Sequence, residues 1–437
     1  MTNAALIEHE ATDPDPGVGT SVELFTGGGG LARAMHESGF RHLLAVELDR
    51  RACETLRANG ADDYRDGDAA PTTRADKWPL IEGDIHKVEF DRWRKSSGAD
   101  AVDVVAGGVP CQPWSLGGAH KGFEDPRNLW PELFRTIRET RPRAVIAENV
   151  KGLLRPSFKP YYDYILRELE APFEDREEGE DWSEHAQRLE KSTTRKSSDP
   201  TERYDVKYLM VNAADYGVPQ VRWRVFVVAF RSDLGLADWE FPAPTHSEAA
   251  LLRDQMVGTY WERHGVEPRP MPEGVRLPLE DGRLPWRTLR DALYGNPDEP
   301  ELERLPFPER PLEAKIEHER IIHHRGWPGA RIYKGHTPNL LDRPAKTVKA
   351  GVHGVPGGET VMEDAQPEHE GEYRYMTVRE VARVMTFPDD WRLSGPRGEQ
   401  MRQLGNAVPV KLGKVMADSV RDALRSVDAR LPTGAFE

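Results

Sequence analysis

Cysteine is almost missing. The 437-residue chain holds two, Cys53 and Cys111, far apart in sequence. That leaves no basis for a disulfide framework and fits a reducing compartment, so a cytoplasmic location is expected. Metal-ligand spacings of the CxxC or HExxH kind are missing as well, and no metal site is expected. No apolar run approaches the ~20 residues that cross a bilayer, and the N-terminus lacks a charged-then-apolar leader, so no membrane association is expected. Positive charge is in deficit: 60 Lys and Arg stand against 74 Asp and Glu, a net charge of −14. Such a balance weighs against a nucleic-acid partner, although a local basic face can override it. Internal repeats are absent.

What the chain does have is a set of apolar runs that end in glycine or acid. Its length allows two or three domains, and 11 Trp with 13 Phe argue for a folded protein. Residues 1–20 are polar and read as a disordered tail. Ser21-Val22-Glu23-Leu24 then reads as a strand, Phe25-Thr26-Gly27-Gly28-Gly29-Gly30 as a glycine turn and 31–39 as a helix. A second strand, 43–46, ends in Glu47, about 20 residues past the first glycine. That is the spacing at which an acid takes a ribose diol in a nucleotide-binding βαβ unit. A helix over 50–59 carries Cys53 as a packing residue. A polar insertion, 61–76, leads to a short third strand with Asp84 near its end.

The run Val104-Val105-Ala106-Gly107-Gly108-Val109-Pro110-Cys111-Gln112-Pro113-Trp114-Ser115 reads as a buried strand opening into a Gly-rich loop. A thiol there is a candidate nucleophile; the plainer alternative is a small, inert core cysteine. A helix over 131–140 and an apolar strand, 144–147, follow, ending in Glu148-Asn149-Val150. Strands alternating with helices predict an α/β fold with a doubly wound, mostly parallel Rossmann-like sheet. In such sheets the loops at the carboxyl ends make the site, so Glu47, Asp84, Cys111 and Glu148 should share one edge. The charged insertion 174–200 reads as a solvated face. Arg222 and Arg224 alternate with Val221 and Trp223 at strand spacing, which puts both guanidiniums on one face. After Phe230 the composition turns proline-rich and weakly periodic, marking a second, smaller irregular domain. Its basic stretch, 320–349, includes His323, His324, Arg325, Arg331 and Lys334 and is a candidate phosphate-backbone surface; a solvated basic face is the alternative. Residues 377–391 read as a helix stopped by proline. Gly405 and Asn406 are read as opening a last amphipathic helix, with a backbone N-terminus free for a ligand.

Taken together these segments resemble the DNA (cytosine-5)-methyltransferases, in order and over nearly the whole chain. Leu24-Phe25-Thr26-Gly27-Gly28-Gly29-Gly30 looks like the family's cofactor loop, with Thr26 where Ala is common. Pro110-Cys111-Gln112 matches the catalytic loop and Glu148-Asn149-Val150 the ENV motif. Gln220-x-Arg222-x-Arg224 matches QxRxR. Arg343-Pro344-Ala345-Lys346-Thr347-Val348 looks like the segment that supports the recognition domain, with Ala-Lys for Ser-Pro. Gln403-Leu404-Gly405-Asn406-Ala407-Val408 matches the closing motif.

The resemblance implies a modification methylase of the bacterial or archaeal type. Such an enzyme moves a methyl group from S-adenosylmethionine to carbon 5 of cytosine in a specific sequence of double-stranded DNA. Cys111 would add to carbon 6 of a base flipped out of the duplex, since that addition makes carbon 5 nucleophilic. Glu148 would sit at ring nitrogen 3, Arg224 at the ring carbonyl, and Arg222 would order the site. Phe25, Gly27, Gly29, Gly30, Glu47, Asp84, Ile85, Pro110 and Asn406 would line the cofactor site, with Phe25 on the adenine, Glu47 on the ribose and Asp84 on the adenine amino group. Gln112, Ser115, Arg325, Arg331 and Lys334 would meet DNA. The implied domains are a catalytic domain over 21–230, a target-recognition domain over 231–378 and helices over 379–437 that return to the first. A monomer is expected, with a cognate restriction endonuclease acting separately. An RNA cytosine-5 methyltransferase and a non-catalytic DNA-binding relative are the competing readings. A nicotinamide dehydrogenase would share the glycine loop and Glu47 but has no use for Pro-Cys-Gln or the paired arginines. An amino-group methyltransferase would carry Asp/Asn-Pro-Pro-aromatic in place of Pro-Cys-Gln.

Overall fold

The structure is a computed structural model. It describes residues 18–99, 101–110, 128–193, 199–270, 274–296, 304–306, 320–332, 337–350, 360–364 and 371–430. Cys111, Gln112, Ser115 and Lys334 lie outside the described residues.

An eight-stranded sheet organises the chain. Its strands are β1 (Thr20–Leu24), β2 (Arg41–Glu47), β3 (Ala61–Asp63), β4 (Trp78–Glu82), β5 (Val104–Gly108), β6 (Ala144–Val150), β7 (Tyr204–Asn212) and β8 (Trp223–Arg231). Their order is β3-β4-β2-β1-β5-β6-β8-β7. The pairs from β3 to β6 are all parallel, whereas β8 runs antiparallel to both β6 and β7. Central parallel strands are covered on both faces, which is why Val104-Val105-Ala106 and Ala144-Val145-Ile146-Ala147 are unbroken apolar runs and are buried throughout.

Helices α1 (Gly30–Glu37), α2 (Arg50–Ala58), α3 (Phe90–Ser97), α4 (Trp130–Thr140), α5 (Lys159–Glu170) and α6 (Trp182–Thr193) fill the connections. Past β8 the elements shorten. They are α7 (Glu248–Val257), α8 (Thr259–His264), α9 (Leu289–Tyr294) and the two-stranded pairs β9 (His246–Ser247) with β10 (Leu284–Pro285) and β11 (Val361–Glu363) with β12 (Tyr373–Tyr375). The chain then returns as α10 (Val378–Val384), α11 (Arg397–Asn406) and α12 (Val410–Asp428). On α12, Leu412, Met416, Val420 and Leu424 recur every four residues and form one buried stripe. That stripe packs with Leu31, Met35, Val104, Ile146 and Phe226, so the end of the chain covers one face of the sheet. Each such side chain contributes about 1.5–3 kcal/mol by leaving water.

Several expectations need correction. The insertion 61–76 contributes the edge strand β3, too short at three residues to show a period. The charged insertion is not simply a solvated face. Helix α6 sits on α5 through His185 and Leu189, both fully buried, with His185 bonded to the Tyr164 hydroxyl and paired with Glu168. His323 and His324 do not belong to a solvated basic face. His324 is fully buried between Thr377 Oγ1 and the Pro306 carbonyl, and His323 Nε2 accepts from the Leu393 N–H at 2.9 Å. Asn406 closes α11 rather than opening α12, whose N-cap is Pro409. Helix α10 ends at Val384, before Pro388 is reached.

Candidate active site

The chain runs outward from β1 through β2 to β4, then restarts at β5 on the other side of β1. The switch point therefore lies between β1 and β5, where an open α/β sheet leaves a crevice at its carboxyl edge. Phe25–Gly30 follows β1 there and Val109-Pro110 follows β5. Phe25 is half-buried against the core and lies at φ 54°, the left-handed region that a side chain rarely adopts. Gly27 shares that conformation at φ 56°, and a Cβ on it would meet nothing closer than 3.9 Å. Its amide donates to Glu47 Oε2 at 2.6 Å, while Asp49 N donates to Oε1 at 2.8 Å. Burial raises the Glu47 carboxyl above its ordinary range, against the pull of those two backbone bonds. A carboxylate held this way keeps lone pairs for two hydroxyls.

The other glycines answer to a different neighbour. A Cβ on Gly29 would come 2.6 Å from the Trp391 ring, and one on Gly30 would come 2.2 Å from the Val408 carbonyl oxygen. Trp391 Nε1 donates to the Gly28 carbonyl at 3.2 Å. These glycines let residues 391–408 close onto the back of the loop, rather than only letting a ligand approach its front. Thr55 extends the same seam, donating to Gln403 Oε1 and accepting from Ser394 N. Asn406, at the end of that seam, is exposed.

Two strand-end residues meet across β6 and β8. Because β8 is antiparallel to β6, Val150 is the register partner of Arg224, and Glu148 lies two residues back on the same face. Arg224 Nε reaches Glu148 Oε1 at 2.6 Å. Burial raises the Glu148 carboxyl, and Arg224 followed by Arg222 opposes the rise. Asn149 donates from Nδ2 to the Val109 carbonyl at 2.9 Å, tying this edge to the residue before Pro110. Leu129 N donates to the Pro110 carbonyl at 3.3 Å, so the two ends of the segment that carries Cys111 are fastened to each other.

Arg222 shares the parity of Arg224 but not its partner. It is fully buried, and its guanidinium donates to three carbonyls: Val348 at 2.8 Å, Gly405 at 2.7 Å and Ala407 at 3.0 Å. Gln220 Oε1 accepts from Val348 N, and Gln220 with Val221 bridges Ala345. The QxRxR stretch thus sews the sheet to residues 345–348 and to the end of α11.

Asp84 lies two residues past β4 and caps a 3-10 turn, Ile85–Lys87, rather than ending a strand. Its Oδ1 accepts from the backbone N–H of His86 at 3.1 Å and meets His86 Nδ1 at 2.7 Å. Ile85 is buried beside it. Arg325 and Arg331 are exposed, in the stretch between α9 and β11. Asn149 and Trp391 went unassigned in the sequence. For Asn149 the available signal was an amide one residue past a strand-end acid; for Trp391, an aromatic just after a helix-stopping proline.

Fold and strand ends together define a nucleoside-binding α/β enzyme. The chain belongs to the C-5 cytosine-specific DNA methylases, whose family profile matches residues 19–172, 187–264 and 315–422. It is 28% identical over 419 residues to the type II methyltransferase M.Eco47II of Escherichia coli, covering 94% of this chain and 81% of that one. It is equally 28% identical over 410 residues to the type II methyltransferase M.NgoMIV of Neisseria gonorrhoeae, covering 93% and 98%. The Schizosaccharomyces pombe Dnmt2 methyltransferase structure shares the fold, with a TM-score of 0.51 at 14% identity over 94% of this chain and 99% of that one. As a family member the enzyme methylates carbon 5 of cytosine in DNA with S-adenosylmethionine as donor. Among the described residues no helix is long and apolar enough to cross a membrane.

Proposed function

We propose that the enzyme is the methylase of a type II restriction–modification system, marking one short duplex sequence against a separately acting endonuclease. The kinship with type II methyltransferases over more than nine-tenths of the chain supports this. On this reading it works as a monomer in the cytoplasm. Residues 21–230 and the returning helices of 379–437 form the catalytic body, and 231–378 the target-recognition domain, where Arg325, Arg331 and Lys334 would face phosphates.

The observation that carries the catalytic assignment is the buried Glu148–Arg224 pair at the strand edge beside Val109-Pro110. Cys111 follows directly in the chain. Its thiolate adds to carbon 6 of a flipped cytosine while Glu148 holds a proton at ring nitrogen 3, so that charge does not build up there. Arg224 holds the Glu148 carboxyl and the ring carbonyl oxygen. Carbon 5 then takes the methyl group, and loss of its proton expels Cys111 and restores the ring.

The residues at the switch point suit the donor. Phe25 offers an aromatic face, Glu47 an acceptor for ribose hydroxyls and Asp84 an acceptor for the adenine amino group. Gly27, Gly29, Gly30, Ile85, Pro110 and Asn406 complete the wall. S-adenosylmethionine supplies an electrophilic methyl group on sulfur; orientation is left to these side chains. Gln112 and Ser115 would contact the flipped nucleotide and its backbone.

Base-resolution 5-methylcytosine sequencing tests the reading, using a methylation-free bacterial host that expresses the enzyme or its Cys111→Ala variant. Methylation at one short motif, lost in the variant, is expected. Unmethylated DNA from soluble, folded protein would overturn the DNA-modification role and turn attention to RNA.

A further inference from the structure

His86 plays no part in the chemistry above, yet it is bonded to one of its ligands. Asp84 Oδ1 meets His86 Nδ1 at 2.7 Å and the His86 backbone N–H at 3.1 Å, so both of these bonds fall on the same oxygen. Asp84 Oδ2 has no hydrogen-bond partner among the described residues. The far side of the ring is also engaged: His86 Nε2 lies 3.9 Å from Glu132 Oε1. Glu132 is anchored in turn by Arg135 at 2.6 Å. Arg135 donates as well to Glu139 and to the carbonyls of Ile85 and Val88, which locks it to the 3-10 turn. The groups facing the imidazole are therefore Asp84 on its own turn and Glu132, backed by Arg135, on α4. An open cavity of about 730 Å³ lined by His86, Arg92, Lys95, Arg135 and Glu139 lies alongside.

A short carboxylate on a solvent-facing turn has two rotatable torsions, and an amino group can be recognised only if one oxygen is held toward it. We propose that His86 is a positioning residue for the cofactor: by occupying Asp84 Oδ1 through Nδ1 it fixes the carboxylate and leaves Oδ2 aimed at the exocyclic amino group of adenine. The inference rests on the reading of Asp84 as the adenine acceptor. It predicts that His86 acts on discrimination of the purine edge and on cofactor affinity, not on methyl transfer itself.

The distinguishing variants follow from ring geometry. The side-chain amide nitrogen of Asn overlays Nδ1 of His, whereas that of Gln overlays Nε2. Affinity for S-adenosylhomocysteine and for S-inosylhomocysteine, in which a carbonyl oxygen replaces the amino group, would be measured by calorimetry on the wild type, H86A, H86Q, H86N and D84N. H86A and H86Q are expected to bind S-adenosylhomocysteine about three- to tenfold more weakly and to lose preference over the inosyl analogue. H86N should stay within about twofold of the wild type, and kcat at saturating donor should be unchanged in all three His86 variants. If D84N keeps both affinity and preference, the reading of Asp84 itself fails. If D84N loses them while H86A and H86Q do not, that reading stands and the role of His86 is overturned. Equal loss in H86N and H86A would also overturn it, marking His86 as a packing residue.

Discussion

Arg224 Nε lies 2.6 Å from Glu148 Oε1, with only 11% and 8% of the two side chains exposed. Alone, the ion pair would hold Glu148 ionised. Burial outweighs it and the carboxyl ends above its ordinary range, poised to carry a proton at higher pH than a surface glutamate. A step that needs protonated Glu148 slows as pH rises through that elevated value. Glu148→Gln keeps size and hydrogen bonding but cannot exchange a proton. Its kcat should fall by about 10²–10⁴ with DNA affinity nearly intact, and the alkaline limb of the kcat–pH profile should flatten. Single-turnover methylation with gel-shift binding checks both.

Glu47 titrates with a consequence of the opposite sense. Its carboxyl is raised by burial, and on the proposed reading the ionised form is the one that would accept from ribose hydroxyls. Affinity for S-adenosylhomocysteine should therefore drop as pH falls through that raised value, before ordinary carboxylates protonate. Stability moves the other way. A raised acid costs the fold when ionised, fully above the folded pKa, and that cost is gone below the unfolded one. Calorimetric titration and thermal melts across acidic pH should diverge, and Glu47→Gln should weaken binding and flatten its pH dependence.

Arg222 gives up three carbonyl bonds if it is replaced. Arg222→Lys keeps a charge but loses the planar fork, and a buried ammonium cannot reach Val348, Gly405 and Ala407 together. A stability loss of at least about 3 kcal/mol is expected by urea unfolding, alongside reduced activity.

Gly27 and Gly30 stand three residues apart and should respond differently to alanine. At Gly27 the space is open and only the positive φ opposes a side chain, a cost of about 1–2 kcal/mol. At Gly30 the new Cβ would sit 2.2 Å from the Val408 carbonyl, which forces α1 and the start of α12 apart. Gly30→Ala should lower the melting temperature more than Gly27→Ala, by an amount worth about 3 kcal/mol or more.

The sheet was legible because parallel strands announce themselves as continuous apolar runs, and Glu47 and Glu148 because an acid ending such a run stands out. What sequence could not supply was the partner. Arg222 and Arg224 look equivalent at period two; only the third dimension sends one to a carboxyl and the other to carbonyls. His323 and His324 look solvated amid Arg320, Arg325 and Arg331 until α10 is seen packed over them. Gly29 and Gly30 looked reserved for a ligand, yet the atoms nearest to them belong to residues more than 350 positions later. Helix α6 looked like a charge run because His185 and Leu189 are thinly spread among acids.

That last seam has a consequence in time. A ribosome adds roughly 5–20 residues per second, so Phe25–Gly30 leaves the exit tunnel long before Trp391 and Val408 exist to stand behind it. The glycine loop acquires its rear wall only once residues 391–408 have been made. A chain released early would carry every strand of the sheet, Glu47, Cys111 and Glu148, and still lack the surface against which the loop is set. The setting of this loop is thereby tied to synthesis having passed Val408.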